Sequence, residues 1–359
     1  MKKLTALILA LVTALCFAAC GEQDEAAQGP GENETAEVAL IADGDISDGG
    51  FNQVTWQSIE NFCSGNDITC AYYIPEEKSD DEIKVTVEDA IEKGGKLIIF
   101  AGSTFETAVY DLQKEHSDVN FYLIDGVPHD RDNKYEMSDN SIGVLFAEQE
   151  AGYLAGYAAV RDGYRNLGFL GGEDLPSVKR YGYGFVQGIS AAATEMGIDG
   201  DIDVRYAYVG TFKASDAVEK KAKKWYGDGT EVIFSCGGAI VKSVIKAAES
   251  EGGRIIGADV DQSDLSGTII TSAKKGIGAA VEDVLKQYNR GKFVGNNVFN
   301  YTAANDGVGL EITNARFSKF DRSQYDEIFK QIREGSVTIK KDTDADDVED
   351  LAGENINIH

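Results

Sequence analysis

ALIADGDISDGGFNQVTW, residues 39–56, joins an apolar run to a helical pattern through a polar, glycine-rich loop. Val38 to Ile41 read as a buried strand, the loop carries Asp43, Asp45 and Asp48, and Phe51, Asn52 and Trp56 open the helix. In open parallel α/β sheets, ligands sit outside the carboxyl ends of the strands, and this loop falls there. Carboxylates, a side-chain amide and an aromatic face between Asp43 and Asn52 suit a small ligand that is both polyhydroxylated and flat. The alternative is an ordinary βα turn with a core phenylalanine, since ligand pockets are few per protein.

Outward from this loop, strands and helices alternate steadily. CAYYI (70–74), KLIIFAG (96–102), NFYLIDG (120–126, containing Asp125) and SIGVLF (141–146) read as strands, with helical patterns over 80–94 and 104–116 between them. The unbroken apolar run in KLIIFAG suits a strand buried on both faces. EAGYLAGYAAV (150–160) reads as a helix whose Gly152, Ala155, Gly156 and Ala159 form a close-packing face. A second series follows, with strands at 166–172, 204–210, 231–238, 254–262 and 267–275 and helices at 178–196, 214–226, 239–251 and 278–288. Two open α/β series in one chain suggest two similar lobes, with polar loops facing each other across a shared cleft.

The ends set the expected location. Met1-Lys2-Lys3, the apolar Leu4 to Phe17 and the small pair before Cys20 have the form of a secretory signal over residues 1–19. The apolar core is shorter than the ~20 residues that span a bilayer. A cysteine directly after Ala18-Ala19 resembles a bacterial lipobox, which implies lipidation of Cys20 and anchoring on the extracytoplasmic face of the cell membrane. Residues 21–37 are acidic and lack an apolar face, so 20–37 are expected to form a disordered tether. Cleavage would leave 359 − 19 = 340 residues, a length for two lobes. The net charge of −27 argues against nucleic acid as a partner. The acidic stretch from Asp342 to Glu354 reads as a solvated end within a tail over 341–359.

Catalytic and metal signatures are missing. The three histidines (His116, His129, His359) lack triad spacing, no Walker A or GxSxG pattern occurs, and no His/Cys cluster or CxxC pair offers a zinc site. The loop aspartates are too sparsely spaced for a calcium loop, which also needs a twelfth-position glutamate. No metal or cofactor is expected. Gly182, Gly184 and Gly188 miss the dinucleotide spacing and read as helix-packing glycines. Cys63 and Cys70 could be joined in an exported protein or remain free thiols, while Cys236 reads as a small apolar residue beside the cleft.

Laid end to end, the loops resemble the basic membrane protein family, purine-nucleoside-receptor-type lipoproteins that bind substrate for ABC transporters. DGGFNQ (48–53) resembles the family's DKSFN, FLGGEDLPSVKRYGYGFVQG (169–188) its GGxxxPxVxxFxxGFxxG, and VGTFKA (209–214), EVIFSCGG (231–238), GADVDQ (257–262), TSAKK (271–275) and DGVGL (306–310) follow in family order. The resemblance covers most of residues 38–312. It implies a two-lobed, periplasmic-binding-protein-like α/β fold of type I, each lobe a mostly parallel sheet flanked by helices. Lobe 1 would comprise 38–145 plus 273–300, and lobe 2 would comprise 146–272 plus 301–340. Carried over residue by residue, Phe51 and Phe212 would stack on a base, Asn52 and Asp125 would bond its edge, and Asp43, Asp259 and Lys275 would hold ribose. Gly238 would allow close backbone approach. Asp45 competes with Asp43, and Lys274 with Lys275. The implied partners are a purine nucleoside or related small molecule and the permease and ATPase of an importer, with the receptor a non-catalytic monomer. A surface ligand sensor and a nucleoside hydrolase are the alternatives.

Overall fold

The computed structural model describes residues 34–198, 202–354 and 356–359, so the signal segment and Cys20 lie outside the described residues. The first half lays down β1 (Val38–Ala42), α1 (Phe51–Asn66), β2 (Cys70–Tyr73), α2 (Asp80–Glu92), β3 (Leu97–Ala101), α3 (Glu106–Glu115), β4 (Asn120–Ile124) and β5 (Ser141–Phe146). The second continues with α4 (Glu148–Asp162), β6 (Asn166–Gly171), α5 (Pro176–Glu195), β7 (Ile202–Tyr208), α6 (Asp216–Gly227), β8 (Val232–Cys236), α7 (Ile240–Glu251), β9 (Arg254–Asp259) and β10 (Ile269–Lys275). Then come α8 (Ile277–Asn289), β11 (Asn297–Tyr301), β12 (Val308–Leu310), α9 (Arg322–Arg333) and β13 (Ile356–Ile358).

These strands form two sheets, ordered β11-β5-β4-β3-β1-β2 and β12-β10-β9-β8-β6-β7-β13. All pairings are parallel except β10 with β12. β1, β3 and β8 are buried at every position, as strands covered by helices on both faces must be. The protein is therefore an α/β, two-lobed binding-protein fold. The chain crosses between the lobes three times, after β5, after β10 and after β11. Backbone bonds from Ala147 N to Tyr301 O (2.9 Å) and from Gly276 N to Gly307 O (2.8 Å) tie the crossings together.

The helix-packing reading of the glycines holds at α4 and α5. A Cβ on Gly184 or Gly188 would fall 2.0 Å from the carbonyl oxygen of Gln149 or Tyr153, and one on Gly152 or Gly156 would fall 2.1 Å from that of Tyr181 or Phe185. The two helices touch backbone to backbone, and only glycine permits it. Gly182 faces the other way, toward the Tyr206 hydroxyl.

Three expected boundaries are corrected. β10 belongs wholly to the second sheet, with Ala273 opposite Ala258 and Lys274 opposite Asp259, so the crossing falls after Lys275 and not at residue 273. The last tether residues are already bound: Ala36 is buried, its N–H bonds Lys93 O, and the Tyr73 hydroxyl donates to Glu34 O. The acidic tail is not a free solvated end. Val348, Leu351 and Ile356 are buried, and β13 pairs with β7, closing an otherwise open sheet edge. Counting charges hid these apolar positions. Cys63 and Cys70 are buried, unlinked thiols bonded to each other, and Cys236 is a third free thiol.

Candidate ligand-binding site

The loops at the carboxyl ends of both sheets converge on one cleft. Its cavity encloses about 510 Å³ of empty space, counting the part open to solvent at its mouth. Asp43, Phe51, Asn52 and Asp125 line it from the first lobe, and Phe212, Gly238, Asp259 and Lys275 from the second. The eight ligand-contact residues carried over from the family resemblance thus all line one cavity, while the rivals Asp45 and Lys274 do not.

The opening loop is shaped by Asp48. Its buried carboxylate accepts from the N–H groups of Gly50 (2.8 Å), Asn52 (3.1 Å) and Gln53 (3.1 Å) and from Asn52 Nδ2 (3.2 Å), anchoring the start of α1. This fixes Asn52, whose Nδ2 also donates to Asp43 Oδ1 at 3.0 Å. With its donor group spent on two carboxylates, Asn52 offers an acceptor: Oδ1 is buried without a protein partner. Asp45 instead caps Ser47 through N–H (2.8 Å) and Oγ (2.7 Å) bonds and does not line this cavity.

Across the cleft, Lys275 is almost wholly buried. Its Nζ lies 2.5 Å from Asp125 Oδ2, 3.1 Å from Glu148 Oε1 and 3.6 Å from Asp259 Oδ1. Phe51, Phe146 and Tyr181 present ring faces to it at 5.1, 5.4 and 5.6 Å. Lys274, its rival, points away and pairs with Glu311 at 2.6 Å. Asp125 and Asp259 end β4 and β9 in left-handed backbone, with φ of 64° and 69°. That conformation is uncommon for a residue other than glycine, and aspartate is among the few that adopt it. Strain of this kind clusters at ligand sites, where surrounding structure over-determines it.

The geometry regroups the expected roles. Asp43 is bonded to Asn52, and Asp125 to Lys275, so the carboxylates fall into one cluster of Asp43 and Asn52 and another of Asp125, Lys275 and Asp259. Burial raises the Asp43 carboxyl to about 6, against the pull of Lys78 and the Asn52 bond. Burial likewise raises Asp125 to about 7, partly offset by Lys275, and raises Asp259. Lys275 is held protonated by Asp125, Glu148 and Asp259, which together outweigh its desolvation.

Sequence reasoning passed over Tyr181, whose hydroxyl bonds Asp259 Oδ1 (3.4 Å) and Ala273 O (3.3 Å), and Ser103, Leu175 and Ser177, which line the cavity. It also passed over Glu148 and Arg180. Glu148 is a charged residue at the start of α4, two residues after the apolar strand β5, which is a readable signal for a buried charge with a partner. The lobes meet at the cleft rim through Lys78–Glu173 (2.8 Å), Lys242 Nζ to Ser47 O (2.7 Å) and Gln262 Nε2 to Gly49 O (2.9 Å).

Two α/β lobes joined by three crossings, with a cavity between their facing ends, form the architecture of the periplasmic-binding-protein-like class. The chain belongs to the PnrA-like family of ABC transporter substrate-binding proteins, matching it over residues 35–345. It is 27% identical over 331 residues to the ABC transporter nucleoside-binding protein BmpA of Lactococcus lactis subsp. cremoris, spanning 86% of this chain and 90% of that one. It is 28% identical to basic membrane protein A1 of Borrelia garinii subsp. bavariensis, over 88% of this chain and 89% of that one. Its fold is similar to an ABC transporter solute-binding protein of Aeropyrum pernix K1, with a TM-score of 0.75 at 20% identity, covering 87% of this chain and 95% of that one. No helix among the described residues is long and apolar enough to cross a membrane.

Proposed function

We propose that this protein is the lipid-anchored receptor of a nucleoside importer, capturing a purine nucleoside in its cleft and delivering it to a permease driven by an ATPase. The observation that carries the reading is the pairing, in one cavity, of two phenylalanines with a buried lysine flanked by two strand-end aspartates. Phe51 and Phe212 suit the faces of a base, and base–aromatic stacking is worth about 1–3 kcal/mol per base in nucleic-acid systems. Asp43 and Asn52 suit the base edge: the amide oxygen is an acceptor awaiting a donor, as is the unpartnered Asp125 Oδ1 on the other side. Asp125, Asp259 and Lys275 suit ribose, since ionised carboxylates accept from hydroxyls in bonds roughly twice as strong as neutral ones. The three carboxylates around Lys275 would repel a phosphate, which favours nucleosides over nucleotides. The BmpA relative is named as nucleoside-binding, which agrees with this ligand class. Anchoring rests on Cys20 and the apolar segment before it.

A thermal-shift series with purine nucleosides, pyrimidine nucleosides, free bases, nucleotides and sugars tests the reading. A ligand at a hundred times its dissociation constant adds about 2.7 kcal/mol of stability. Purine nucleosides are expected to raise the midpoint, and Phe51→Ala and Asp259→Ala to abolish the rise. A rise with sugars alone would discard the stacking half of the site, and no rise with any nucleoside would discard the ligand class.

A further inference from the structure

Glu148 is fully buried, yet it does not line the cavity. One of its oxygens lies 3.1 Å from Lys275 Nζ, and the other accepts from Arg180 Nε at 2.5 Å. Arg180 in turn reaches Asp342, its Nη1 lying 3.5 Å from Oδ2, on the segment that follows α9. A row of charge therefore runs from the buried Lys275 and Glu148, through the half-buried Arg180, to Asp342 on the C-terminal segment. Glu148 begins α4 just after the first crossing, and Lys275 ends β10 at the second, so their ion pair also bridges two of the three strands that join the lobes.

The other two carboxylates at Lys275, from Asp125 and Asp259, both line the cavity. A ligand hydroxyl bonding to either one competes with the ammonium for the same oxygens. Glu148 offers an oxygen that no ligand can reach, and a buried ammonium needs such a fixed partner to offset its desolvation. Arg180 occupies the other oxygen and so fixes the plane of the carboxylate. Burial works to raise the Glu148 carboxyl, but Arg180 and Lys275 hold it below its ordinary range, so it stays ionised as this role requires.

We propose that Glu148, held by Arg180 and steadied by Asp342, is a positioning residue that fixes Lys275 for the sugar half of the ligand. The proposal rests on the reading of Asp125, Asp259 and Lys275 as the ribose-binding cluster. It assigns to the C-terminal segment a part in ligand affinity, through Asp342.

Two measurements on the full protein test it. The first is calorimetric titration of guanosine and of guanine with the parent protein and with Glu148→Gln and Asp342→Asn. Glu148→Gln is expected to weaken guanosine at least tenfold and guanine less than threefold, and Asp342→Asn to act in the same direction by a few-fold. Equal losses on both ligands, or none, would overturn the proposal. If Glu148→Gln fails to fold, Arg180→Lys replaces it: charge is kept, the Nε bond is lost, and the same guanosine-selective loss is required. The second is a double-mutant cycle of Glu148→Gln and Lys275→Met on the unfolding midpoint without ligand. Strong non-additivity is expected, and additive shifts would overturn the coupling. If the parent protein does not prefer guanosine over guanine, the ribose reading fails, while the cycle still judges whether Glu148 holds Lys275.

Discussion

Asp43 carries the tension of the site in a single side chain. It accepts hydrogen bonds most strongly when ionised, yet burial raises it from 3.8 to about 6. Its folded-state value lies above its unfolded one, so the folded form holds the proton longer. The stability it contributes is full below about pH 4 and is lost as pH rises through about 6. Asp125, raised to about 7, acts in the same direction. Asp43→Asn should therefore remove part of the decline: relative to the parent protein without ligand, it should gain about 1–2 kcal/mol in denaturant unfolding at pH 8 over its value at pH 4.5, a figure reduced for Asp43's partial exposure at the cleft mouth. An unchanged difference between the two pH values would contradict the assignment. At this scale the sequence was legible where a side chain sits at the end of an apolar strand, as Asp125 and Asp259 do. It was not legible for the partners of Tyr181, Glu148 and Arg180, which lie on helices: Tyr181 and Glu148 meet Lys275 from far away in the chain, and Arg180 is linked to it only through Glu148. Their charge and polarity were visible, but their partners were not.

α4 and α5 are the element pair on which the second lobe depends. Their glycines sit where a single added carbon would collide with backbone, which cannot rotate out of the way as a side chain could. Gly184→Ala and Gly188→Ala should each cost more than about 3 kcal/mol in thermal unfolding, at the upper end of overpacking effects. Gly227, at the end of α6 with open space around its Cα, is the control: alanine there should be neutral or stabilise by up to about 1 kcal/mol. Equal effects at Gly188 and Gly227 would show that helix propensity, not close approach, governs these positions. A helical period is present in α9 as well, where Tyr325, Ile328 and Ile332 form the buried face and Asp321 and Gln324 make a capping box. That helix went unread because its surroundings are polar and its apolar positions few. β11, β12 and β13 were also missed, being short strands of three to five residues at sheet edges, where apolar runs are weakest.

The whole molecule is a pair of lobes whose separate parallel sheets each bring their loops to the same cleft. Strand alternation in the sequence foretold both series, and the exchange of segments between lobes came with the family resemblance, which placed 273–300 with the first lobe; in the structure α8 and β11 lie there, and the return begins after Lys275. The acidic surface, at a net charge of −27, and a cleft lined by carboxylates and aromatics together suit a neutral, hydroxyl-rich ligand better than an anionic one. The most direct test of the account is a crystal structure of the protein saturated with a purine nucleoside. The account predicts the base between Phe51 and Phe212 with its edge toward Asp43 and Asn52, and the ribose hydroxyls on Asp125, Asp259 and Lys275. A base turned toward Lys275 with ribose at Asp43, or a nucleoside bound outside the cleft, would contradict it.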